Sequence, residues 1–155
     1  MTTLNFHTIN TDGQALIHDT LRNNISKTEC NLIVDYGTNE VPSKIGYPII
    51  EVGEFDYDSE YIRFGARLRL PITCELVVHT RTAKEARTLS NKIVEVLDIE
   101  KTNFELDNGL IYFTFKKRSG IPERINGSKY HRTLITLKYV WQSIVNRTVA
   151  NGVQT

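Results

Sequence analysis

The chain has little of what small metalloproteins and disulfide-rich proteins depend on. Its 155 residues include two cysteines, four prolines and four histidines. Two cysteines allow at most one internal disulfide, and Cys74 falls among the inward residues of a predicted strand, where a thiol usually behaves as a small hydrophobe. We therefore expect a reduced pair. The histidines and cysteines show no His-x-x-x-His or Cys-x-x-Cys spacing, so no metal site is predicted.

Long apolar runs, glycine-rich loops and a large net charge are also absent. No apolar stretch approaches the roughly 20 residues of a membrane span, and the N-terminal residues lack the layout of a signal peptide, which favours a cytosolic chain with no membrane partner. The net charge of +1 gives no bulk attraction to nucleic acid. Neither a Gly-x-Ser-x-Gly elbow nor a phosphate-binding glycine loop occurs. We expect no enzyme, no catalytic residue and no cofactor.

What is present is the composition of an ordinary globular protein. Apolar residues make up 40% of the chain and charged residues 24%, and this length can bury a core in a single domain. We assign residues 1–145 to one domain and 146–155 to a flexible C-terminal tail.

Residues 66–97 carry the clearest structural pattern. Apolar side chains alternate with polar ones from Ala66 to Thr80, which predicts a long strand with one buried and one wetted face. Pro71 cannot donate to a ladder, so it predicts an edge position or a bulge. His79 is expected to be exposed at the strand end. Thr82 and Glu85 form a capping box for an amphipathic helix over 82–97.

The remaining elements follow from the same two periodicities. Thr11 and Gln14 have capping-box spacing ahead of a helix over 12–26. The other predicted elements are strands at 31–36 and 47–52, a hairpin over 104–115 that turns at Asp107-Asn108-Gly109, and a strand at 133–145. The order predicts an α+β fold: a mixed, mainly antiparallel sheet with two helices packed on one face and long extended loops.

Two charged segments are predicted to be loops. The first, over 54–60, is acidic, and it contains Glu54, Asp56, Asp58 and Glu60. The alternating carboxylates of Asp56, Asp58 and Glu60 could gather a calcium ion, but the segment lacks the glycine and terminal glutamate of a calcium loop. A solvated, mobile acidic loop is the favoured interpretation.

The second charged segment, over 116–132, is basic. Its cations are Lys116, Lys117, Arg118, Arg124, Lys129 and Arg132. Glycine and proline interrupt it, which indicates a long flexible connection. Two interpretations stay open: a loop that grips phosphates or an acidic protein surface and orders when the partner arrives, and a solvated loop that its charge keeps soluble.

This layout resembles the tail terminator, or tail-completion (head-tail joining), protein family of tailed bacteriophages. The likeness rests on element order: the helix 12–26, the Pro-Ile-Ile-Glu-Val strand at 48–52, the strand from Arg63 to Thr80, the helix 82–97 with its Thr-Ala-Lys-Glu-Ala start, and the long basic segment before the closing strand 133–145. It covers most of the chain. That family has no invariant catalytic motif that could be compared with this chain residue by residue.

The resemblance implies a virion structural protein that caps the tail tube and joins the tail to the head connector. Its partners would be itself in a hexameric ring, the tail tube protein and the head-tail connector protein, with DNA only passing through the ring. It would lie in the tail or neck of the virion after assembly in the host cytoplasm. From charge, we expect the basic segment to bind a partner and the acidic segment to contact the neighbouring subunit.

Two alternatives stay open. One is another head-tail adaptor or a minor tail tube protein. The other is a nucleic-acid-binding module that uses the basic segment over 116–132.

Overall fold

The computed structural model describes residues 4–36, 46–57, 62–64, 67–125 and 128–143. Within them lie two α-helices and six strands of one open sheet. The elements are α1 (Ile9–Asn24), β1 (Leu32–Asp35), β2 (Ile49–Asp56), β3 (Ile62–Phe64), β4 (Arg67–Thr80), α2 (Ala83–Asn103), β5 (Leu110–Ile125) and β6 (Ser128–Gln142). The predicted α+β class is confirmed.

The sheet is mixed and mainly antiparallel, as predicted. Its strand order is β1-β2-β4-β6-β5, and β3 pairs with β4 alongside β2. Among the described strands, β1 runs parallel to β2 and every other pair is antiparallel. The β4–β6 ladder is the longest regular pairing, because it runs from Arg69 opposite Gln142 to Thr80 opposite His131 without a shift in register. These two strands form the centre of the sheet.

The core lies between one face of the sheet and the two helices. Alternate residues of β4 from Leu70 to Val78 are buried, and so are alternate residues of β6 from Ile135 to Trp141. They join the buried stripes of α1 and α2 in one hydrophobic cluster. The period-two pattern of the sequence therefore identified the buried face correctly.

Helix α1 begins at Ile9, so the predicted start at residue 12 is wrong. Thr11 and Gln14 lie inside the helix, and Gln14 does not cap it. Its Nε2 donates to the Val52 carbonyl at 2.8 Å, and Asn10 Nδ2 donates to the Phe55 carbonyl at 2.6 Å. A shift in the β2–β4 register lies between Val52 and Phe55. Gln14, which the sequence suggested as part of a cap, and its neighbour Asn10 therefore tie α1 to this bulge.

Helix α2 begins where the capping box predicted. Thr82 Oγ1 accepts from the Glu85 amide at 3.1 Å, and Glu85 Oε1 accepts from the Arg81 amide at 3.2 Å. The helix ends at Asn103 and continues as a π-helical turn over Phe104–Asn108, which Gly109 closes with φ 71°. The predicted hairpin over 104–115 is wrong, because an Asn-Gly pair with positive φ ends a helix as readily as it turns a hairpin.

Both predicted charged loops prove to be strand where the structure describes them. Glu54 and Asp56 belong to β2, and Phe55 between them is fully buried. The basic segment runs along β5 and β6, which pair on both sides of residues 126–127. A two-stranded ribbon with polar side chains satisfies its backbone through its own ladder and needs no apolar pattern. Asp58, Glu60 and the predicted C-terminal tail lie outside the described residues.

Pro71 lies in an interior strand, so the predicted edge position or bulge is wrong. It stands opposite Val140 of β6 within the regular ladder. On the other side of β4, the described pairs with β3 end at Arg69 and those with β2 begin at Thr73. A residue without an amide proton is tolerated there because it falls between the two partners on that side.

Candidate interaction face

The face of the sheet that points away from both helices, here called the outer face, carries the exposed charged residues of the central strands. On β4 the outer positions are Pro71, Thr73, Glu75, Val77 and His79, which alternate with the core residues. Directly opposite them on β6 are Val140, Lys138, Thr136, Leu134 and Arg132. Residues opposite each other across a ladder share a face, so the register fixes the composition of this surface.

Charges on the outer face sort by strand, with one exception: Arg69, an outer residue at the end of β4, is basic, and its Nε donates to Gln142 Oε1 at 3.0 Å. The acidic half lies on β2 and β4, and it consists of Glu51, Glu54, Asp56 and Glu75. The basic half lies on β5 and β6, and it consists of Lys116, Arg118, Arg132 and Lys138. The boundary falls between the two central strands, where Val77 stands opposite Leu134. One sheet face therefore has two sides of opposite sign with an apolar pair between them.

The acidic half surrounds a shallow depression of about 310 Å³, lined by Tyr36, Gly53, Glu54, Asp56, Glu75 and Val77. Gly53 lies in the β2 bulge, where a Cβ atom would stand 2.7 Å from the Glu75 carbonyl oxygen. Only glycine allows the two backbones to approach this closely. The bulge brings Glu54 to the same surface as Asp56 and Glu75.

His79 and Glu51 form a partly buried pair at one end of this face. His79 Nε2 lies 3.0 Å from Glu51 Oε2, and the side chains are 6% and 18% exposed. Tyr47 covers His79, with ring centroids 6.3 Å apart, and packs on Tyr130 of β6 at 4.6 Å. The expectation of an exposed His79 is wrong, because aromatic side chains from two neighbouring segments close over it.

The structure divides the predicted basic site between the two sides of the sheet. Lys116, Arg118 and Arg132 share the outer face. Lys117 lies on the opposite side, where its Nζ donates to Asn91 Oδ1 of α2 at 3.4 Å. Arg124 is exposed near the end of the β5–β6 hairpin and stands opposite Lys129, whose side chain lies outside the described residues.

Three residues of the outer face were not among the predicted site residues: Glu51, Glu75 and Lys138. Glu75 and Lys138 are exposed, and the period-two pattern had already placed each on the polar side of its strand. What the sequence could not show is the register that puts Glu75 one row from Lys138. That register depends on pairing across more than 60 residues of chain.

The acidic and basic halves do not neutralise each other within the described part of the chain. No nitrogen of the basic half lies within 4.0 Å of a carboxylate of the acidic half there. Neighbouring strands are about 4.8 Å apart, so Glu75 and Lys116, two strands apart in one row, are separated by about 10 Å. Glu51 is paired with His79, and the other charges of the two halves have no ion pair in the described part of the chain and can attract groups on another molecule.

The outer edge of β5 is a second exposed feature. No other described strand pairs with it. Beside it, Phe113 stacks on Tyr139 with ring centroids 5.1 Å apart, while Phe115 is 48% exposed and Tyr112 is 68% exposed. A groove of about 560 Å³ runs between this edge and α2, lined by Asn91, Val94, Glu95, Asp98, Phe113, Thr114 and Phe115. A free strand edge with aromatic side chains can add a strand from another chain.

The described residues do not form a metal centre or a reactive thiol. No three of their His, Cys, Asp or Glu side chains are grouped to hold a metal ion. Burial raises the pKa of the Cys30 thiol to about 11 and that of Cys74 to about 12, so both stay protonated at neutral pH. Neither α1 nor α2 is long and apolar enough to cross a membrane.

The fold is one that a virion protein also has. A chain from the virion of the native gene transfer agent particle matches 82% of this chain and 92% of its own length, with 14% identity and a TM-score of 0.54. The bacteriophage SPP1 gp17 protein matches 81% of this chain and 86% of its own, with 18% identity and a TM-score of 0.45. No protein-family model and no curated protein sequence matches the chain. At these identities the likeness concerns the fold alone.

Proposed function

We propose that this protein is a structural component of the head-tail region of a phage-like virion. In this proposal it forms a ring that caps the tail tube and joins the tail to the head connector. The observation that carries it is an open sheet in which, among the described residues, the outer edge of β5 is unpaired and no helix covers the outer face of divided charge. The fold shared with a gene transfer agent virion chain supports the same class of function.

A ring would pair the edges of the sheet with neighbouring subunits. β5 has 16 residues and β1 has four, and they are the two ends of the strand order. A long free edge invites pairing with another chain, and closed symmetry satisfies that pairing without growth into fibres. In the proposed ring, the β5 edge of one subunit meets the neighbouring subunit, and the hexameric state remains part of the proposal.

The β5–β6 hairpin is the element proposed to reach the partner. The β4 strand ends at Thr80 opposite His131, whereas β5 and β6 continue pairing to Ile125 and Ser128. The hairpin therefore extends past its neighbour in the sheet, and exposed Arg124 lies near its end. A projecting basic ribbon suits contact with an acidic surface of the connector or tube.

Electron microscopy of isolated tail tubes mixed with the purified protein tests the proposal. We expect ring-shaped density at one end of the tube and none along its length. A matched control is the same mixture with bovine serum albumin at equal concentration. Density along the whole tube would support the minor tube protein instead, and no density on the tubes would contradict the proposal.

The basic half is the observation that favours a nucleic-acid-binding module as the second candidate. Four cations on one face could contact phosphates, and such binding would weaken as salt rises. The adjacent acidic half opposes it, because carboxylates repel the same phosphates. A mobility shift of duplex DNA at low salt, abolished at high salt and by Lys116→Glu, would favour this candidate. Unshifted DNA at both salt concentrations would remove it.

A further inference from the structure

The outer face of the sheet has the charge arrangement of a self-complementary surface. Its acidic side chains lie on β2 and β4, and its basic ones lie on β5 and β6, except for Arg69 at the end of β4, whose Nε donates to Gln142 Oε1 at 3.0 Å. Both helices cover the opposite face, so no helix of the described chain covers this one. The surface therefore has separated charges and no occupant within the described chain.

The arrangement of charged and apolar residues across the outer face also suits a protein interface. The row through its middle reads Glu51, Val77, Leu134, Arg118 across the four strands. Val77 is 6% exposed and Leu134 is half-buried. Val77 is already shielded within the subunit, so Leu134 is the accessible apolar residue of this row, and it lies between charged margins as the apolar part of a protein interface usually does.

We infer that the outer face binds the outer face of a second copy of this chain in a two-fold symmetric dimer. A two-fold axis parallel to the strands, at the boundary between β4 and β6, places the acidic half of each copy on the basic half of the other. Both contacts form at once, and the pair is closed to further growth. Sheets stacked in this way keep their strands aligned within about 30° and lie about 10 Å apart.

Other orientations are opposed by charge. Rotation about an axis perpendicular to the strands, within the plane of the face, would put acidic on acidic and basic on basic, and such like-charge contacts disfavour the wrong register. The inference does not depend on the proposed virion function, because a ring built through the β5 edge leaves this face free. The dimer can form before such a ring assembles or together with it.

Sedimentation equilibrium of complementary charge variants tests the dimer. The first variant carries Glu54→Lys and Glu75→Lys, and the second carries Lys116→Glu and Lys138→Glu. All four side chains are exposed and have no ion pair in the described part of the chain. Each variant alone should dimerise at least about 100-fold more weakly than the unmodified protein, whereas a 1:1 mixture should recover the dimer to within about 10-fold.

The control variant carries Asp19→Lys and Glu105→Lys, which change net charge by the same amount as the first variant but lie on α1 and on the π-helical turn after α2. It should dimerise as the unmodified protein does. Thermal unfolding of every variant reports whether it is folded. A salt series should weaken the dimer between about 0.05 M and about 1 M NaCl, since screening shortens the range of these interactions.

Two results would overturn the inference. One is an unmodified protein that stays monomeric up to about 100 µM, well above the Kd expected of a specific dimer. The other is self-association that the two charge variants leave unchanged, which would place the contact elsewhere, such as the β5 edge. The second result would leave the proposed ring intact, so the two proposals can fail separately.

Discussion

Gly13 of α1 faces the ring of Phe55 so closely that a Cβ atom would stand 2.1 Å from Phe55 Cδ2. Phe55 is fully buried and also stacks on Tyr139, with ring centroids 6.4 Å apart. The ring has no free space to move into, because protein cores are close-packed. Gly13 is therefore required where α1 crosses the bulged end of β2.

Gly13→Ala should lower the free energy of unfolding by about 1–3 kcal/mol through overpacking. Urea denaturation measures the change. In the Gly13→Ala background, Phe55→Leu should recover part of the loss, since leucine lacks the conflicting Cε2 atom and its smaller side chain can move away from the new Cβ. The control is Ala15→Ser on the exposed side of α1, with an expected change within about 0.5 kcal/mol. A Gly13→Ala protein as stable as the unmodified chain would contradict this packing.

The His79–Glu51 pair should couple in a double-mutant cycle. The atoms are 3.0 Å apart, and both side chains are largely shielded from water. Removing either partner leaves a shielded polar group, so His79→Ala and Glu51→Ala should each destabilise the protein by about 1–3 kcal/mol. Denaturation of both single variants and the double variant should give a coupling energy of about 0.5–3 kcal/mol. Additive effects would mean that the pair makes no net contribution.

Ionisation of the two buried thiols should lower the free energy of unfolding at high pH. Burial raises the pKa of Cys30 to about 11 and of Cys74 to about 12, from an ordinary value of 9.0. The folded protein thus holds these protons where the unfolded chain has released them. The contribution of each protonated thiol to the free energy of unfolding is complete below pH 9. It is lost at about 1.4 kcal/mol per pH unit as the pH rises toward 11 for Cys30 and toward 12 for Cys74.

Iodoacetamide labelling checks the same burial directly. At pH 8.5 the folded protein should react far more slowly at both cysteines than the urea-unfolded protein, because the thiolate is the reactive form. A matched control is free cysteine under both conditions. Rapid labelling of the folded protein would show that the thiols are accessible.

Gly109 and Tyr112 offer a matched pair of backbone tests. Both have positive φ, 71° for Gly109 and 56° for Tyr112. Gly109→Ala should destabilise the protein by about 1 kcal/mol, because an alanine Cβ is strained there. Tyr112→Asn should leave stability equal or higher, since asparagine tolerates this region and the tyrosine side chain is 68% exposed. Thermal unfolding distinguishes them, and the reverse order would contradict the closure of α2 by Gly109.

Charge reversal in the hairpin tests how the protein contacts its proposed partner. Arg118→Glu with Arg124→Glu should lower the fraction of tails joined to heads in particles assembled with the variant. Lys101→Glu at the far end of α2 is the control, and it should leave joining unchanged. Counting joined particles by electron microscopy gives the result. Unchanged joining in the Arg118 and Arg124 variant would remove the hairpin from the contact, and Lys129→Glu would extend the test to the residue opposite Arg124.

Local patterns predicted the parts of the fold that local physics determines. Alternation along residues 66–80 gave β4 and its buried side, and Thr82 with Glu85 gave the start of α2. Sequence patterns that are compatible with two different structures gave wrong predictions. Gly109 fits a hairpin turn and a helix end equally well, and the polar run over 54–60 concealed Phe55 because its aromatic ring lies between carboxylates.

The outer face could be predicted only in part. The sequence showed that Glu75 and Lys138 point away from the core, but their relative position depends on the β4–β6 register. The basic segment was interpreted as a loop since a solvated ribbon buries no apolar stripe, and its strands became evident only from the ladder between β5 and β6. Long-range pairing, not local propensity, assembles the candidate site.

Electron microscopy of particles made without this protein shows whether tails are capped and joined to heads in its absence. If the protein caps the tail tube and joins it to the connector, such particles should show tails of abnormal length or tails detached from heads, and supplying the unmodified protein should restore normal particles. Normal tails, attached to heads at the usual frequency in its absence, would contradict the account.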